Sequence, residues 1–291
     1  MTRQYGSQSM AGPLKRVLMR RAASAMRGAD AGRWHYGPGF DPVRAAAQHD
    51  ALTTLVEASG AEIAWLTDED DGLADSVFTH DPSLVTDRGA VILSMGKALR
   101  RPEPALHEAA YSRMGVPVLG RIEHPGTVEG GDCVWVDAKT LAIGRGVRTN
   151  QAGIQQMANL LGPHGITVYG FDLPLWHGEE ACLHLMSGIS PLADDLALVF
   201  STLLPAPFYQ MLRERGIALV EGDAEEFHAS HGLSLNVLPT APREIIAVSG
   251  FPRTKAAMEA AGCVVKTFEA DALCIACEGG PTCLTRPVLR Q

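Results

Sequence analysis

The chain has 291 residues and is 46% hydrophobic, which is enough to bury a sizeable core in one large unit or two smaller ones. Its formal net charge of −8 excludes the basic surface that nucleic acids and anionic membranes require as partners. No segment approaches the roughly twenty consecutive apolar residues of a membrane span, so we expect a cytoplasmic protein.

Cysteine usage supports that expectation about the compartment. The cysteines are crowded into the second half of the chain and do not form a disulfide framework, so we expect reduced thiols, most of them buried. Cys274 and Cys277 have the spacing of a metal or redox pair, but no second pair supplies further ligands, and we expect no metal there. The full set is Cys133, Cys182, Cys263, Cys274, Cys277 and Cys283.

A pattern of strand, turn, strand and helix recurs in chain order at intervals of about fifty residues. Turn-forming residues are evenly spaced and no linker is evident, so we expect one compact unit over residues 1–291. One copy cannot bury its own apolar face, so the period favours a radial or stacked architecture with equivalent positions at the centre. The predicted copies begin at Asp75, Asp132, Leu183 and Asn236, and helices are predicted over residues 150–161, 208–215 and 253–261.

Three carboxylates in these copies predict a negatively charged pocket. Glu129 begins a Glu-Gly-Gly-Asp turn that precedes a buried-looking strand. Asp75 and Asp81 are six residues apart, and we expect a strand that places both on one face. Such a pocket would bind a cation, and a planar guanidinium pairs with carboxylates in a bidentate way. Arg148, on a following loop, fits either a contact to backbone carbonyls or a contact to a substrate carboxylate.

His184 and Cys283 each allow a structural and a chemical interpretation. His184 lies between two leucines in an alternation typical of a strand, so it fits a core position as well as a general acid and base. Cys283 follows a glycine pair near the end of the chain, and a lone cysteine is most often a buried core thiol. Together with a carboxylate, however, these two residues fit a covalent thiol enzyme.

Four motifs together resemble those of the guanidine-modifying (pentein) superfamily, which contains dimethylarginine dimethylaminohydrolases, arginine deiminases and amidinotransferases. The likeness spans nearly the whole chain and is greatest to the dimethylarginine dimethylaminohydrolase branch, although Phe78-Thr-His-Asp81-Pro is more similar to arginine deiminases. The motifs are Glu129-Gly-Gly-Asp132, Gly144-x-x-x-Arg148-Thr-Asn, His184-Leu-x-Ser187 and Gly279-Gly-x-x-Cys283-Leu-Thr-Arg-Pro.

The resemblance implies an α/β propeller of five strand–strand–helix–strand (ββαβ) modules around a pseudo-fivefold axis, which would form a single catalytic domain. It implies Cys283 as the nucleophile, His184 as acid and base, and Glu129 with Asp81 as the groups that bind a guanidinium.

The resemblance also implies a subsite for the rest of the substrate. Arg148 matches the ligand of the substrate α-carboxylate, Asp75 matches the residue near its α-amino group, and Asp132 matches a structural support of the Glu-Gly-Gly-Asp loop. This chain departs from the pattern in two places: His80 stands where many relatives have glutamate, and no arginine lies near Ser94, where a second carboxylate ligand is expected. The residues that could compensate are Arg100, Arg101 and Arg145.

The implied reaction is hydrolysis of a small guanidino substrate of the dimethylarginine or arginine type. A covalent S-thiouronium intermediate would give a ureido product such as citrulline, plus an amine or ammonia, without a metal or organic cofactor. Two alternatives remain open: an amidinotransferase that uses the same intermediate, and a non-catalytic propeller that serves as a binding scaffold. The sequence also leaves open whether the chain forms a homodimer.

Overall fold

The computed structural model describes residues 3–67, 69, 72–176, 178 and 183–291. Within those ranges the strands form five three-stranded sheets, and we number the corresponding modules 1 to 5. In every sheet the middle strand pairs antiparallel with one neighbour and parallel with the other. In the order of the modules, with the middle strand second, the strands are Arg286–Arg290, Leu14–Met19 and Glu62–Trp65; Ser83–Thr86, Gly89–Ile92 and Val118–Arg121; Cys133–Asp137, Thr140–Arg145 and Thr167–Asp172; Ile189–Ala193, Leu196–Val199 and Ala218–Glu221; and Leu238–Ala241, Glu244–Val248 and Val264–Phe268.

Each parallel connection carries a helix, because two parallel strands need a long crossover between them. Local sequence fixes where these helices begin. The side chain of Asn150 accepts a hydrogen bond from Gly153 N at 2.9 Å, and Asp41 caps a helix that has proline at its first position. The crossover helices are Pro42–Ala58, Glu103–Met114, Gln151–Leu161, Ala206–Glu214 and Pro252–Ala260, and shorter helices span Ala22–Ala25, Ala31–Trp34 and Ala224–Ala229.

The core consists of five apolar clusters, each shared by two successive modules. Neighbouring residues of a middle strand contribute to different clusters, because successive side chains point to opposite faces of a sheet. Leu18 belongs to the cluster between modules 1 and 2 with Ile92, whereas Val17 belongs to the cluster between modules 1 and 5 with Ile246. The ring therefore closes, and the sheet of module 1 is built from both ends of the chain.

The predicted α/β propeller of five modules is confirmed. The sequence showed four copies, and the module it did not show is the one assembled from both chain ends. Five of the six cysteines lie in the described residues and are unpaired; Cys182 lies outside them. Among the described residues, no helix is long and apolar enough to cross a membrane.

Two predictions of local structure are wrong. Asp75 lies in a 3₁₀ turn, Ala74–Val77, and Asp81 lies in the turn that precedes the strand Ser83–Thr86. A strand with one solvent face would alternate in burial, but every residue from 74 to 86 is buried. His184 is likewise not in a strand, because it directly precedes the 3₁₀ turn Leu185–Ser187.

Closure of the ring can be tested through the cluster between modules 1 and 2. Leu18 is fully buried, so Leu18→Ala should lower the free energy of unfolding by about 2–5 kcal/mol. The exposed Lys15→Ala exchange on the same strand is the control and should change it by no more than about 0.5 kcal/mol. Urea unfolding followed by circular dichroism measures both, and equal stability of the two variants would contradict this arrangement.

Candidate active site

Five of the seven predicted site residues line one cavity of about 380 Å³. The other two, Glu129 and Asp132, are fully buried beside it. The cavity also receives residues that the sequence did not single out, among them Trp34, Phe78 and Lys97. The five predicted residues are Asp75, Asp81, Arg148, His184 and Cys283.

Glu129 is the centre of the hydrogen-bond network. Its Oε1 accepts from the backbone N–H groups of Gly96 and Lys97 at 2.9 and 3.1 Å. Its Oε2 accepts from His184 Nε2 at 2.9 Å and from Arg148 Nη1 at 3.0 Å. Burial alone would raise the pKa of Glu129, but the His184 hydrogen bond and the Arg148 charge hold it below its ordinary value. Glu129 is therefore an anion at neutral pH.

The glycines after Glu129 are required by close approach. A Cβ on Gly131 would overlap the imidazole ring of His184, and a Cβ on Gly130 would overlap the carbonyl oxygen of His80. With glycine at both positions, the ring of His184 can pack directly on the loop that carries Glu129.

Asp132 accepts hydrogen bonds from two segments that pack behind this loop. Its Oδ1 accepts from Leu185 N at 2.9 Å, and its Oδ2 accepts from the Thr149 hydroxyl at 2.6 Å. The Thr149 hydroxyl in turn accepts from Glu129 N at 3.1 Å. One buried carboxylate thus ties together the segments that carry His184, Glu129 and Arg148.

Asp81, the second predicted guanidinium ligand, already binds a guanidinium in this structure. Its Oδ2 accepts from Arg100 Nη1 at 2.6 Å, and its Oδ1 accepts from Gly131 N at 2.9 Å. Burial opposes ionisation of Asp81, but the charge of Arg100 holds its pKa below the ordinary range. Arg100 is itself buried and also donates to Glu103 and to the carbonyl oxygen of Phe78.

Cys283 is contacted by an amide that the sequence analysis did not assign to the site. Asn236 Nδ2 donates to the sulfur at 3.0 Å, while Asn236 Oδ1 accepts from Thr282 N at 3.1 Å. Burial raises the pKa of the thiol to about 11; Asp81 adds to this effect, and Asn236 and His184 oppose it. In these surroundings Cys283 is a neutral thiol at pH 7.

Asp75 lies in the same cavity but is already paired. Its Oδ2 accepts from Lys97 Nζ at 2.6 Å, and its Oδ1 accepts from the Tyr36 hydroxyl at 2.9 Å. Lys97 Nζ also lies 5.8 Å from the centre of the Trp34 ring. Lys97 follows the position near Ser94 where an arginine was expected, and this nearness in sequence was the signal that could have identified it.

Two of the three arginines considered as replacements have other partners. Arg100 is engaged with Asp81 and Glu103, and Arg145 pairs with Asp172 at the surface. Arg101 is exposed.

His80, the other departure from the family pattern, is structural in this arrangement. Its ring Nδ1 lies 2.9 Å from the carbonyl oxygen of Thr285, which requires a proton on that nitrogen. Its backbone N–H donates to the carbonyl oxygen of Cys283 at 3.0 Å. Burial and the nearby Arg286 lower the pKa of His80 to about 3, so the ring is neutral and braces the segment that carries Cys283.

One oxygen or nitrogen atom each from Asp81, Glu129 and His184 lie within 4.8 Å of one another. This spacing would suit a cation of any kind. In this structure the cations on the two carboxylates are guanidinium groups, those of Arg100 and Arg148.

Comparisons with known proteins indicate the same superfamily as the sequence motifs. The family model described as arginine deiminase matches residues 69–206. The N(G),N(G)-dimethylarginine dimethylaminohydrolase of Pseudomonas aeruginosa is 32% identical over 215 residues, which cover 74% of this chain and 77% of that protein. A solved structure of the Pseudomonas aeruginosa enzyme, a cysteine-to-serine mutant in complex with citrulline, has a TM-score of 0.75 at 25% identity, over 94% of this chain and 99% of that one.

A second kind of neighbour shares the fold alone. An amidinotransferase from Microseira wollei, of the saxitoxin biosynthetic pathway, has a TM-score of 0.80 at 15% identity, over 99% of this chain and 98% of that one.

The similarity in sequence and fold places this protein among the hydrolases that act on C–N bonds in amidines, as the four motifs predicted. The chain belongs to the guanidine-modifying superfamily of dimethylarginine dimethylaminohydrolases and arginine deiminases.

The free energy of unfolding should depend on pH through the titration of Asp132. Burial raises the pKa of this carboxyl to about 6, from an ordinary value of 3.8. The folded state therefore binds the proton of Asp132 more tightly than the unfolded state does. The stabilisation of the fold that comes from this tighter binding is full below about pH 4 and is lost as the pH rises through about 6. Relative to Asp132→Asn, the parent should lose on the order of 2 kcal/mol of unfolding free energy between pH 4 and pH 7.

Urea unfolding at several pH values measures that difference. Asp195→Asn is a control of opposite sign, because Arg243 lowers the pKa of the exposed Asp195. A difference between parent and Asp132→Asn that does not change with pH would contradict the raised pKa.

The hydrogen bond from Asn236 to the sulfur predicts an effect on thiol ionisation. Asn236→Ala removes the donor that stabilises the thiolate, so the thiol pKa should rise further and alkylation by iodoacetamide at pH 8 should slow roughly tenfold. Mass spectrometry of the peptide that contains Cys283 measures the rate. The surface Asn159→Ala exchange is the control, and equal rates in the two variants would show that the amide does not act on the thiol.

Proposed function

We propose that this protein hydrolyses a guanidino compound to a ureido product, with Cys283 as the nucleophile and His184 as acid and base. Glu129 and Asp81 bind the guanidinium of the substrate. One observation carries the proposal: near a cysteine that lines the cavity, both carboxylates already pair with arginine guanidinium groups, so their geometry and charge suit this cation.

Recognition of the substrate begins at Glu129. Its carboxylate is ionised and faces Arg148, whose side chain is about one sixth exposed at the cavity. A substrate guanidinium that displaces Arg148 would find the same two oxygens and the same charge. Asp81 would add a second negative charge, because its oxygens retain lone pairs beside Arg100 and Gly131.

The substrate itself supplies the activation that Cys283 lacks. Burial and the negative charge of Asp81 disfavour a thiolate, and this is why the pKa of Cys283 is raised to about 11. A guanidinium placed next to the sulfur brings a positive charge that favours the thiolate. The nucleophile would then form only when a cationic substrate is bound.

The reaction follows in two halves. His184 accepts the thiol proton as the sulfur attacks the central guanidinium carbon, and one C–N bond breaks while His184 donates that proton to the departing amine or ammonia. A covalent S-thiouronium intermediate remains on Cys283. His184 then accepts a proton from water, the water oxygen attacks the same carbon, the C–S bond breaks, and a ureido product and the thiol result.

The comparisons support the choice of substrate class. The relative crystallised with citrulline is named a dimethylarginine dimethylaminohydrolase, so a guanidino substrate and a ureido product agree with it. Arg148 would bind a substrate carboxylate once it leaves Glu129, and Asp132 supports the loop. A single catalytic domain over residues 1–291 and a cytoplasmic location remain predictions from the sequence.

The amidinotransferase alternative shares the intermediate and differs only in the acceptor. The neighbour that favours it is similar in fold alone, at 15% identity. Product analysis with and without an added primary amine separates the two: a hydrolase gives the ureido product at the same rate in both, whereas a transferase gives a new guanidino compound.

The assignment of Cys283 can be tested with a panel of guanidino compounds that includes arginine and dimethylarginine. Mass spectrometry would follow loss of ammonia or alkylamine and the mass of the protein during turnover. The parent should carry a transient adduct on Cys283, and Cys283→Ser should lower kcat at least about a thousandfold because the hydroxyl is a far weaker nucleophile.

Cys263→Ala is the matched control, since Cys263 lies in the apolar cluster between modules 4 and 5. It should keep the parental turnover. Normal turnover by Cys283→Ser would falsify the assignment of the nucleophile.

A further inference from the structure

The end of the cavity that would receive the amino-acid part of a substrate is already charge-balanced. Asp75 matches the family's residue near a substrate α-amino group, yet its carboxylate binds Lys97 Nζ at 2.6 Å and the Tyr36 hydroxyl at 2.9 Å. The side chain of Asp75 is only 6% exposed, whereas that of Lys97 is 21% exposed and lines the cavity. The charged group presented to a ligand at this end is therefore the ammonium of Lys97.

Lys97 and Arg148 arise from backbone segments in direct contact. A Cβ on Gly96 would lie 2.6 Å from the carbonyl oxygen of Arg148, so only glycine allows the two segments to approach this closely. Glu129 Oε1 accepts from the Lys97 backbone N–H at 3.1 Å and lies 3.3 Å from Arg148 Nη1. Glu129 thus anchors Lys97 through its backbone N–H and Arg148 through its guanidinium, and both residues line the cavity.

We propose that Lys97 makes this site selective for guanidino carboxylates that have no α-ammonium group. The proposal rests on the proposed function and specifies its substrate. A substrate carboxylate at this end meets the two cations Lys97 and Arg148. An α-ammonium directed at Asp75 would have to displace Lys97 from a mostly buried ion pair, and it would then lie beside a like charge.

The exchange of partners at Glu129 favours the same class. When the substrate guanidinium takes the place of Arg148 on Glu129, the substrate carboxylate offers Arg148 a new anionic partner. A guanidino carboxylate therefore replaces one ion pair with two, one at Glu129 and one at Arg148. A guanidino amine instead places its ammonium group at the end of the cavity that already holds the cations Lys97 and Arg148.

Three compounds that differ by one charged group each test this selectivity. Arginine has both an α-ammonium and a carboxylate, 5-guanidinopentanoate lacks the ammonium, and agmatine lacks the carboxylate. With the parent, kcat/KM for 5-guanidinopentanoate should exceed that for arginine and for agmatine by roughly tenfold or more.

Variants of Lys97 identify the cause of the preference. Lys97→Met leaves the carboxylate of Asp75 available, so the ratio of kcat/KM for 5-guanidinopentanoate to that for arginine should fall at least about tenfold, mainly through KM. Lys97→Arg should largely retain the parental ratio. Lys266→Met, on an exposed strand position, is the control and should leave both constants unchanged. Ratios measured within one variant do not depend on the fraction of folded enzyme.

The outcomes distinguish a failure of the proposed selectivity from a failure of the proposed function. Turnover by the parent with arginine preferred, or an unchanged ratio in Lys97→Met, would overturn the inference and leave the proposed function intact. If the parent turns over none of a wide panel of guanidino compounds and forms no adduct on Cys283, the proposed function fails and the inference with it.

Discussion

The structure of this site depends on one buried negative charge, the carboxylate of Glu129. An isolated carboxylate without solvent contact would be neutralised by proton uptake, because burial strongly disfavours its charged form. Here His184 and Arg148 hold the pKa below its ordinary value, and two backbone N–H groups also donate to the carboxylate. To supply those donors, loops from modules 2, 3 and 4 must converge on one point. This close packing requires the glycines after Glu129 and the hydrogen bonds that Asp132 accepts.

Charge pairing governs the rest of the cavity. Asp75 pairs with Lys97, Asp81 with Arg100 and Glu129 with Arg148, so each of these three buried carboxylates is matched by a cation. The pairs differ in how accessible their cations are. Arg100 also lines the cavity, but its side chain is buried and held by Glu103 as well, whereas Lys97 and Arg148 are partly exposed and can exchange partners with a ligand. The raised pKa of Cys283 is a consequence of the same environment, because burial and the charge of Asp81 both disfavour the thiolate.

Much of the fold could be predicted because each copy of the repeat has local sequence signals for its strands and its helix. The helix Gln151–Leu161 has its cap at Asn150 and its apolar spacing in one window, so it could be read from the sequence. The strand predicted through Asp75 failed because its residues are buried on all sides, and a fully buried turn has no periodicity to detect. Module 1 was missed for a different reason: its strands Leu14–Met19 and Arg286–Arg290 are nearly the whole chain apart.

The sequence by itself determined the family and the five-module fold of this protein, through motifs that contain a cysteine, a histidine and carboxylates. Those motifs are local because other groups pack closely against the backbone beside Glu129 and Cys283, and this requires glycines next to each of them in the sequence. Only the tertiary structure decided which charges are paired. It placed Asn236 on the sulfur of Cys283, Arg100 on Asp81, and Lys97 on Asp75, from segments 19 to 47 residues apart. An ion pair between such segments depends on distances that the fold sets, and no local pattern encodes them.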